Sequence, residues 1–423
     1  MEAVGPPRGT PRLMAGVISV AIDSIAAGGD GVGRSDGLVV FVPRTAPGDI
    51  VTAQVAGKGH FARGSLRSVV TASAQRVDPP CPHYTRDRCG GCQVQHMSYE
   101  SQLVAKQRII RDSLQRIGKR FIDLPDISRS PAEWRYRTKL TLAMVRRGPH
   151  WIAGLHPYDD PSRVFALADC PITDSPVVAA WREIMSAEHH FPDARELRGS
   201  VRLTEEGPTF VMMGAQSWRS GEAFAASLPN IVALWWEPDN GPRRLLYDRR
   251  REKFPSASFA QVNPLMAKEL REYVLGLVGH REPATLIDAY SGAGELSVAL
   301  SEIGIRVSAI ELDEEASRWS GERLAPPSVA LQGRVEDILP GALPADVVVI
   351  NPPRAGVDEK VSATLEENRK RLRSVIYISC NPATLARDLA RMPGYRIDSV
   401  RAFDMFPQTA HVETVCELRP DTP

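Results

Sequence analysis

The chain lacks any run of about 20 consecutive apolar residues, which argues against a membrane-spanning helix and a membrane partner. Its start, M-E-A-V-G-P-P-R-G-T-P-R, lacks the apolar stretch of a signal peptide, so the expected location is the cytoplasm. An excess of one charge is missing as well. With 52 Lys+Arg against 51 Asp+Glu the net charge is +1, and a nucleic-acid partner has to rest on local patches. Cysteine is scarce, six in 423 residues, yet Cys81, Cys89 and Cys92 fall in one short stretch. In a cytosolic protein such a cluster points to a metal or iron-sulfur site before disulfides.

What is present suffices for two or three cores: 423 residues, 43% of them hydrophobic. Residues 1–12, rich in Pro, Gly and Arg, read as disordered. Over 12–72 the runs M-A-G-V-I-S-V-A-I, L-V-V-F-V-P, I-V-T-A-Q-V and S-L-R-S-V-V-T-A, with a turn at G-G-D-G-V-G-R, have the spacing of a small OB-like β-barrel. Lys58, His60, Arg63 and Arg67 are its candidates for contact with nucleic acid, a solvated face being nearly as good a reading. The strand order and the glycine turn resemble the TRAM domain, an RNA-binding module appended to RNA-modifying enzymes.

Residues 73–254 read as a central α+β domain. C-P-H-Y-T-R-D-R-C-G-G-C-Q supplies three thiols, one short of the set that zinc or an iron-sulfur cluster wants, and Cys170 in A-D-C-P-I is the candidate for the fourth. A helix is expected over Tyr99 to Gly118, with Leu103, Lys106, Ile109, Ile110, Leu114 and Ile117 on one face and a basic opposite face. W-R-Y-R-T-K-L-T-L-A-M-V-R-R alternates like a strand that turns Arg135, Arg137 and Lys139 to one side, toward phosphate or toward solvent. The run from Arg249 to Lys253 reads as a linker or as part of an RNA track.

Residues 255–423 carry the clearest pattern. Asn263 and Pro264 open a helix through Leu277. T-L-I-D-A-Y-S-G-A-G-E-L-S-V-A-L then reads as strand, glycine turn and helix, and a second strand ends in Glu311, 311 − 288 = 23 positions beyond Asp288. Five further strands follow, the last two an antiparallel-looking pair, which gives an open seven-stranded α/β sheet of the class I methyltransferase type. A glycine turn with an acid that far on suits a nucleoside-bearing cofactor. The single short glycine pair, Gly292 and Gly294, favours S-adenosylmethionine over a dinucleotide, and N-P-P-R at the end of the fourth strand agrees.

Val375 to Ile378 reads as a buried strand and Pro382 as the first turn of a helix, so Cys380 sits in the turn between them. There the helix dipole is expected to ease ionisation of the thiol. A uracil C5 is too weak a nucleophile to take a methyl group unaided. A thiolate adding to C6 activates it, and a general base must then remove the C5 proton, which makes Cys380 the candidate nucleophile and Glu413 in A-H-V-E-T-V the candidate base. The target base has to be flipped out of its stack.

F-A-Q-V-N, D-A-Y-S-G-A-G, A-I-E-L-D, N-P-P-R-A-G, S-C-N-P-A-T-L-A-R-D-L and D-M-F-P-Q-T-A-H-V-E, in that order, resemble the RNA (uracil-5-)-methyltransferase family. The resemblance implies 5-methyluridine formation in RNA, large-subunit ribosomal RNA before transfer RNA, and the protein is expected to be a monomer. It implies that Gln261, Tyr290, Glu311 and Asn351 contact S-adenosylmethionine alongside Gly292, Gly294 and Glu295. It also implies that Cys81, Cys89, Cys92 and Cys170 hold a 4Fe-4S cluster, with zinc as the lesser alternative. Three positions depart from the family pattern: Asn351 for Asp, Ser291 for Cys and Glu295 for Asn. An amino methyltransferase is disfavoured because Arg354 stands where its aromatic residue belongs. A radical enzyme is disfavoured because four cysteines leave no open iron, and an RNA-binding relative with a decayed site because Cys380 and Glu413 are intact.

Overall fold

The computed structural model describes residues 14–57, 61–255 and 261–421. Lys58, His60 and the N-terminal segment read as disordered lie outside them. The chain divides into two compact units, one of residues 1–80, 92–109 and 408–410, the other of 81–91, 110–407 and 411–423.

In the first unit β1 (Met14–Ile25), β2 (Gly31–Ser35), β3 (Leu38–Val42), β4 (Ile50–Gly57) and β5 (Phe61–Thr71) close into a barrel in the order β1-β2-β3-β5-β4. Period-two alternation sends Val20, Ile22, Val40, Val42, Val51, Ala53, Val55 and Ala62 inward. The stretch read as a glycine turn is a turn only as far as Asp30. Gly31–Ser35 is strand, and a Cβ at Gly33 would stand 2.1 Å from the Ala21 carbonyl oxygen, so glycine there serves close strand approach.

The second unit holds two sheets. β6 (Asp126–Ser128) belongs to one of them, and β7 (Lys139–Arg147), β8 (His150–Leu155), β9 (Phe165–Ala166), β10 (Glu196–Thr204), β11 (Gly207–Met213), β12 (Ala233–Glu237) and β13 (Arg244–Asp248) form the other, in the order β13-β12-β11-β10-β7-β8-β9. The helix Ser175–Ser186 covers one face of this sheet, where Trp181, Ile184, Val201, Phe210 and Phe224 pack. One expectation fails here. The strand at 134–147 begins only at Lys139. Arg135, at φ 56, instead donates to Asp169 at 2.7 and 2.9 Å, and Arg137 donates to the Lys139 carbonyl at 2.7 Å. In the Arg249–Lys253 run, Arg250 is buried against Asp248 at 2.9 and 3.0 Å, Glu206 accepts from the backbone of Arg251 and Glu252, and Arg249, Arg251 and Lys253 are exposed.

The remaining strands are β14 (Thr285–Ala289), β15 (Arg306–Glu311), β16 (Val329–Gln332), β17 (Val347–Ile350), β18 (Ser374–Ser379), β19 (Tyr395–Phe403) and β20 (Glu413–Pro420). The seven expected strands are all present, and an eighth joins them, in the order β16-β15-β14-β17-β18-β20-β19-β6. Strands β14 to β18 run parallel and β20 runs against both β18 and β19. The eighth strand, β6, comes from the segment assigned to the central domain, so that boundary does not follow the sheet.

Candidate active site

Strand β18 is the fifth of the eight, and all six of its residues are buried because helices cover both faces. The turn at its end is therefore held from several sides. Asn381 caps the helix Pro382–Ala390 by accepting from the Ala383 N–H at 3.1 Å, and its amide donates to the Arg354 carbonyl at 3.3 Å. Ser379 and Asn381 exchange two bonds of 3.1 Å across Cys380. Asp388, fully buried on the same helix, accepts from Tyr377 Oη at 2.8 Å and from the Val357 N–H at 3.0 Å, and Arg387 donates to the Ala355 carbonyl at 2.7 Å. The N-P-P-R-A-G loop after β17 is thus fastened to the cysteine's helix.

Strands β17, β18 and β20 are neighbours, and because β20 runs the other way its first residue, Glu413, lies at the edge where β18 ends. Cys380 is half-buried and hydrogen-bonded by the Arg354 side chain, and it feels the charge of Glu413. Burial first, and then Glu413, push the thiol above its ordinary range, while Arg354 pulls it down. The expected easing of ionisation by the helix dipole does not carry the balance. Glu413 is 2% exposed, its Oε2 has no hydrogen-bond partner, and burial lifts its carboxyl to about 8 against the pull of Arg354. Cys380 and Glu413 are thus brought together as the sequence reading expects. Arg354, noted there only as a missing aromatic, joins them; its visible signal is the N-P-P-R motif itself.

The cofactor candidates line up along the same sheet edge, after β14, β15 and β17. Glu311, the last residue of β15, accepts from the Gly292 N–H at 2.8 Å and the Asp313 N–H at 2.8 Å, which aims its carboxylate into the glycine turn. Tyr290, Gly292 and Gly294 all have positive φ, 63°, 58° and 79°. A Cβ at Gly292 would meet nothing within 4 Å, so the turn opens onto free space. Ser291 Oγ is buried with no partner, and Asp288 beneath the turn is pushed up to about 7 by burial, its charged form being favoured only by the Ser297 hydroxyl. Asn351 is half-buried, its N–H on the Ala289 carbonyl at 3.2 Å. Gln261 is half-buried ahead of Asn263, which caps the helix Pro264–Gly279. Glu295 departs from this pattern: it is exposed and pairs with Arg271. Ser291, Glu311 and the open turn fit a nucleoside ligand: an orphaned hydroxyl, an oriented acceptor pair and room above the backbone.

The cysteines behave differently. Cys81, Cys89 and Cys92 are buried, Cys170 is half-buried, and none is in a disulfide. Burial raises the Cys81 thiol, and the charges of Cys170 and Asp169 add to that. Four thiols are suitable donors for zinc or an iron-sulfur cluster. Among the described residues no three His, Cys, Asp or Glu side chains are arranged to hold a metal ion.

The family model for tRNA (uracil-5-)-methyltransferase matches residues 327–419, the segment that carries Asn351, Arg354, Cys380 and Glu413. An uncharacterized RNA methyltransferase of Gloeobacter violaceus is 33% identical, with 98% of this chain and 99% of the relative covered. One from Protochlamydia amoebophila is 30% identical over 94% of this chain and 96% of the relative. The crystal structure of the Pyrococcus abyssi tRNA (uracil-54, C5)-methyltransferase in complex with S-adenosyl-L-homocysteine shares the fold, with a TM-score of 0.69 over 96% of this chain and all of that one at 23% identity. With likeness along nearly its whole length to RNA methyltransferases, and the uracil-5 model falling on the segment that holds Cys380 and Glu413, the chain belongs to the RNA (uracil-5-)-methyltransferase family.

Proposed function

We propose that the protein forms 5-methyluridine in RNA, with large-subunit ribosomal RNA as the target, through a covalent bond between Cys380 and C6 of the uracil. The observation that carries this reading is the meeting of Cys380, Arg354 and Glu413 at one sheet edge beside the glycine turn. Bound S-adenosylmethionine would supply an electrophilic methyl group, held by Gly292, Gly294, Glu311, Tyr290, Asn351 and Gln261. Cys380 adds to C6 as thiolate, with Arg354 favouring the charged sulfur, and C5 becomes nucleophilic. Once C5 is fully substituted, Glu413 takes its proton and the C6–S bond breaks, returning the electron pair to sulfur. A carboxyl at about 8 binds that proton firmly. The division at 12–72, 73–254 and 255–423, cytoplasmic location and a monomeric state go with this reading. Transfer RNA is the second reading, favoured by the description of the matching family.

RNA substituted with 5-fluorouridine tests it, since fluorine cannot leave as a proton and a true nucleophile stays attached. Wild type with the cofactor should give an adduct carrying the methyl group, and Cys380→Ala should give none. An adduct with ribosomal RNA fragments but not transfer RNA fixes the target. No adduct with either would overturn the mechanism. The 4Fe-4S cluster on Cys81, Cys89, Cys92 and Cys170 is proposed from the resemblance alone, with zinc the alternative, and no step above passes through it. Iron, acid-labile sulfide and zinc counted per chain in anaerobically purified protein decide it.

A further inference from the structure

The face of the β7–β13 sheet opposite the helix Ser175–Ser186 carries a group of cations that neither the fold nor the catalytic residues account for. Lys139 on β7 is the cross-strand partner of Arg202 on β10, so two like charges stand directly opposite, an arrangement that destabilises a sheet. Arg202 is 6% exposed, and both terminal nitrogens of its guanidinium are buried without a hydrogen-bond partner. Lys139 is half-buried, and the charges that bear on it, Arg202, Arg137 and Arg243, are all positive. Among the described residues no carboxylate balances the pair. Arg243 has Glu237 at 3.4 Å, and Arg137 spends its Nε on a carbonyl, whereas Lys139 and Arg202 have no such outlet. Burial and these neighbours bring the Lys139 ammonium down to about 8, and burial alone brings Arg202 down to about 10. Two desolvated cations without an acid are costly unless an anion arrives.

We infer that Lys139 and Arg202 form a binding site for one backbone phosphate of the RNA substrate. This rests on the RNA methyltransferase reading and adds a specific contact to it. The half-buried Lys139 is the group a phosphodiester meets first. Arg202 lies behind it as a second, water-poor charge, its terminal nitrogens buried, that adds to the pull on the phosphate Lys139 holds. The surroundings suit an RNA strand better than a small free anion. Thr141 and Ser200 share a hydrogen bond of 2.9 Å one cross-strand pair further along the same face, and Arg198 follows, exposed, beyond them. Trp235 adds an aromatic ring that the Arg250 guanidinium covers at 4.9 Å. Arg243 and Arg250 also act on Glu315, in the helix that follows the cofactor-side acid Glu311, so this face looks toward the catalytic sheet.

The test uses the full chain and a fluorescein-labelled single-stranded RNA containing uridine, with affinity read by anisotropy across a salt series. Lys139→Gln and Arg202→Gln should each weaken binding about tenfold. The double variant should lose little more than either single one, because both serve one phosphate. The slope of log affinity against log salt should fall by about 0.7 in the double variant, the share of one phosphate on a single strand. Affinity for S-adenosylhomocysteine should stay unchanged, and the melting temperature should hold or rise. Unchanged RNA affinity in a folded variant overturns the site. A loss of S-adenosylhomocysteine affinity in its place assigns the cations to the cofactor's carboxylate and overturns it too. If Arg202→Gln does not fold, Lys139→Gln decides alone, since its side chain is only half-buried. Wild type that binds RNA and forms the 5-fluorouridine adduct, beside variants that bind equally well, refutes this site and leaves the enzymatic reading standing.

Discussion

The Cys380 thiol and the Glu413 carboxyl draw on the same cation, Arg354, while burial opposes the ionisation of both. With Glu413 at about 8, most of it is protonated at neutral pH, so the form able to remove the C5 proton is scarce there. Turnover should therefore climb as pH rises through about 8, and Glu413→Gln should abolish turnover while still forming the covalent adduct. A pH profile of methyl transfer, with adduct detection by denaturing mass analysis, reads both. Arg354→Gln removes the group that favours the thiolate. We expect the rate of Cys380 alkylation by iodoacetamide at pH 7.5 to fall and kcat to drop about 100-fold, on the scale of a lost electrostatic stabiliser. Arg354→Lys should recover part of both, and an alkylation rate indifferent to Arg354 would remove it from the site.

At the scale of elements, the glycine turn after β14 separates two kinds of glycine. Gly292, at φ 58, has open space where a Cβ would go, so Gly292→Ala should cost only the left-handed backbone penalty, about 1 kcal/mol, and act mainly on cofactor affinity. Gly294, at φ 79, would set a Cβ 2.1 Å from Ser320 Oγ and 2.7 Å from its Cβ, so Gly294→Ala should cost about 3 kcal/mol through strain and overpacking together. Urea denaturation of the two variants reads the difference. Glu295, paired at the surface with Arg271, should tolerate Gln within about 0.5 kcal/mol, and its loss should leave S-adenosylhomocysteine affinity unchanged by calorimetry. Elements with strong local signals were legible in the sequence. β18 shows as an unbroken apolar run before Asn381 and Pro382, and the helices show their caps. β6 was not legible, because three residues, Asp126–Ser128, carry no period and are strand only through pairing with β19. The alternation of cations and apolar residues from Trp134 onward misled, because Arg135 answers to Asp169, a partner far along the chain.

For the whole molecule, the same distance limits what the sequence can say about electrostatics. The motif around Cys380 suggests an easily ionised thiol, and burial of that thiol, followed by the arrival of Glu413 beside it on β20, reverses that. This burial has a consequence for stability. Asp288 and Glu413 hold their protons in the folded chain to about 7 and about 8, whereas the unfolded chain releases them near the ordinary values of 3.8 and 4.5. Between those limits the folded state binds more protons, so stability falls as pH rises, by at most about 1.4 kcal/mol per pH unit for each group. Asp49, Asp248 and Asp346 act in the opposite sense: hydrogen bonds hold them below 3.8, and their contribution is lost only as pH falls through the acid range. Stability should therefore peak near about pH 5 and decline toward pH 8. Glu413→Gln removes the buried ionisable group and should flatten the upper half of that decline, leaving a variant more stable than wild type at pH 8 and without turnover. Melting temperatures of the two proteins from pH 4 to pH 9 give the answer. Parallel curves would mean that Glu413 ionises freely in the folded chain, and the pH dependence of turnover expected above would then have to come from Cys380.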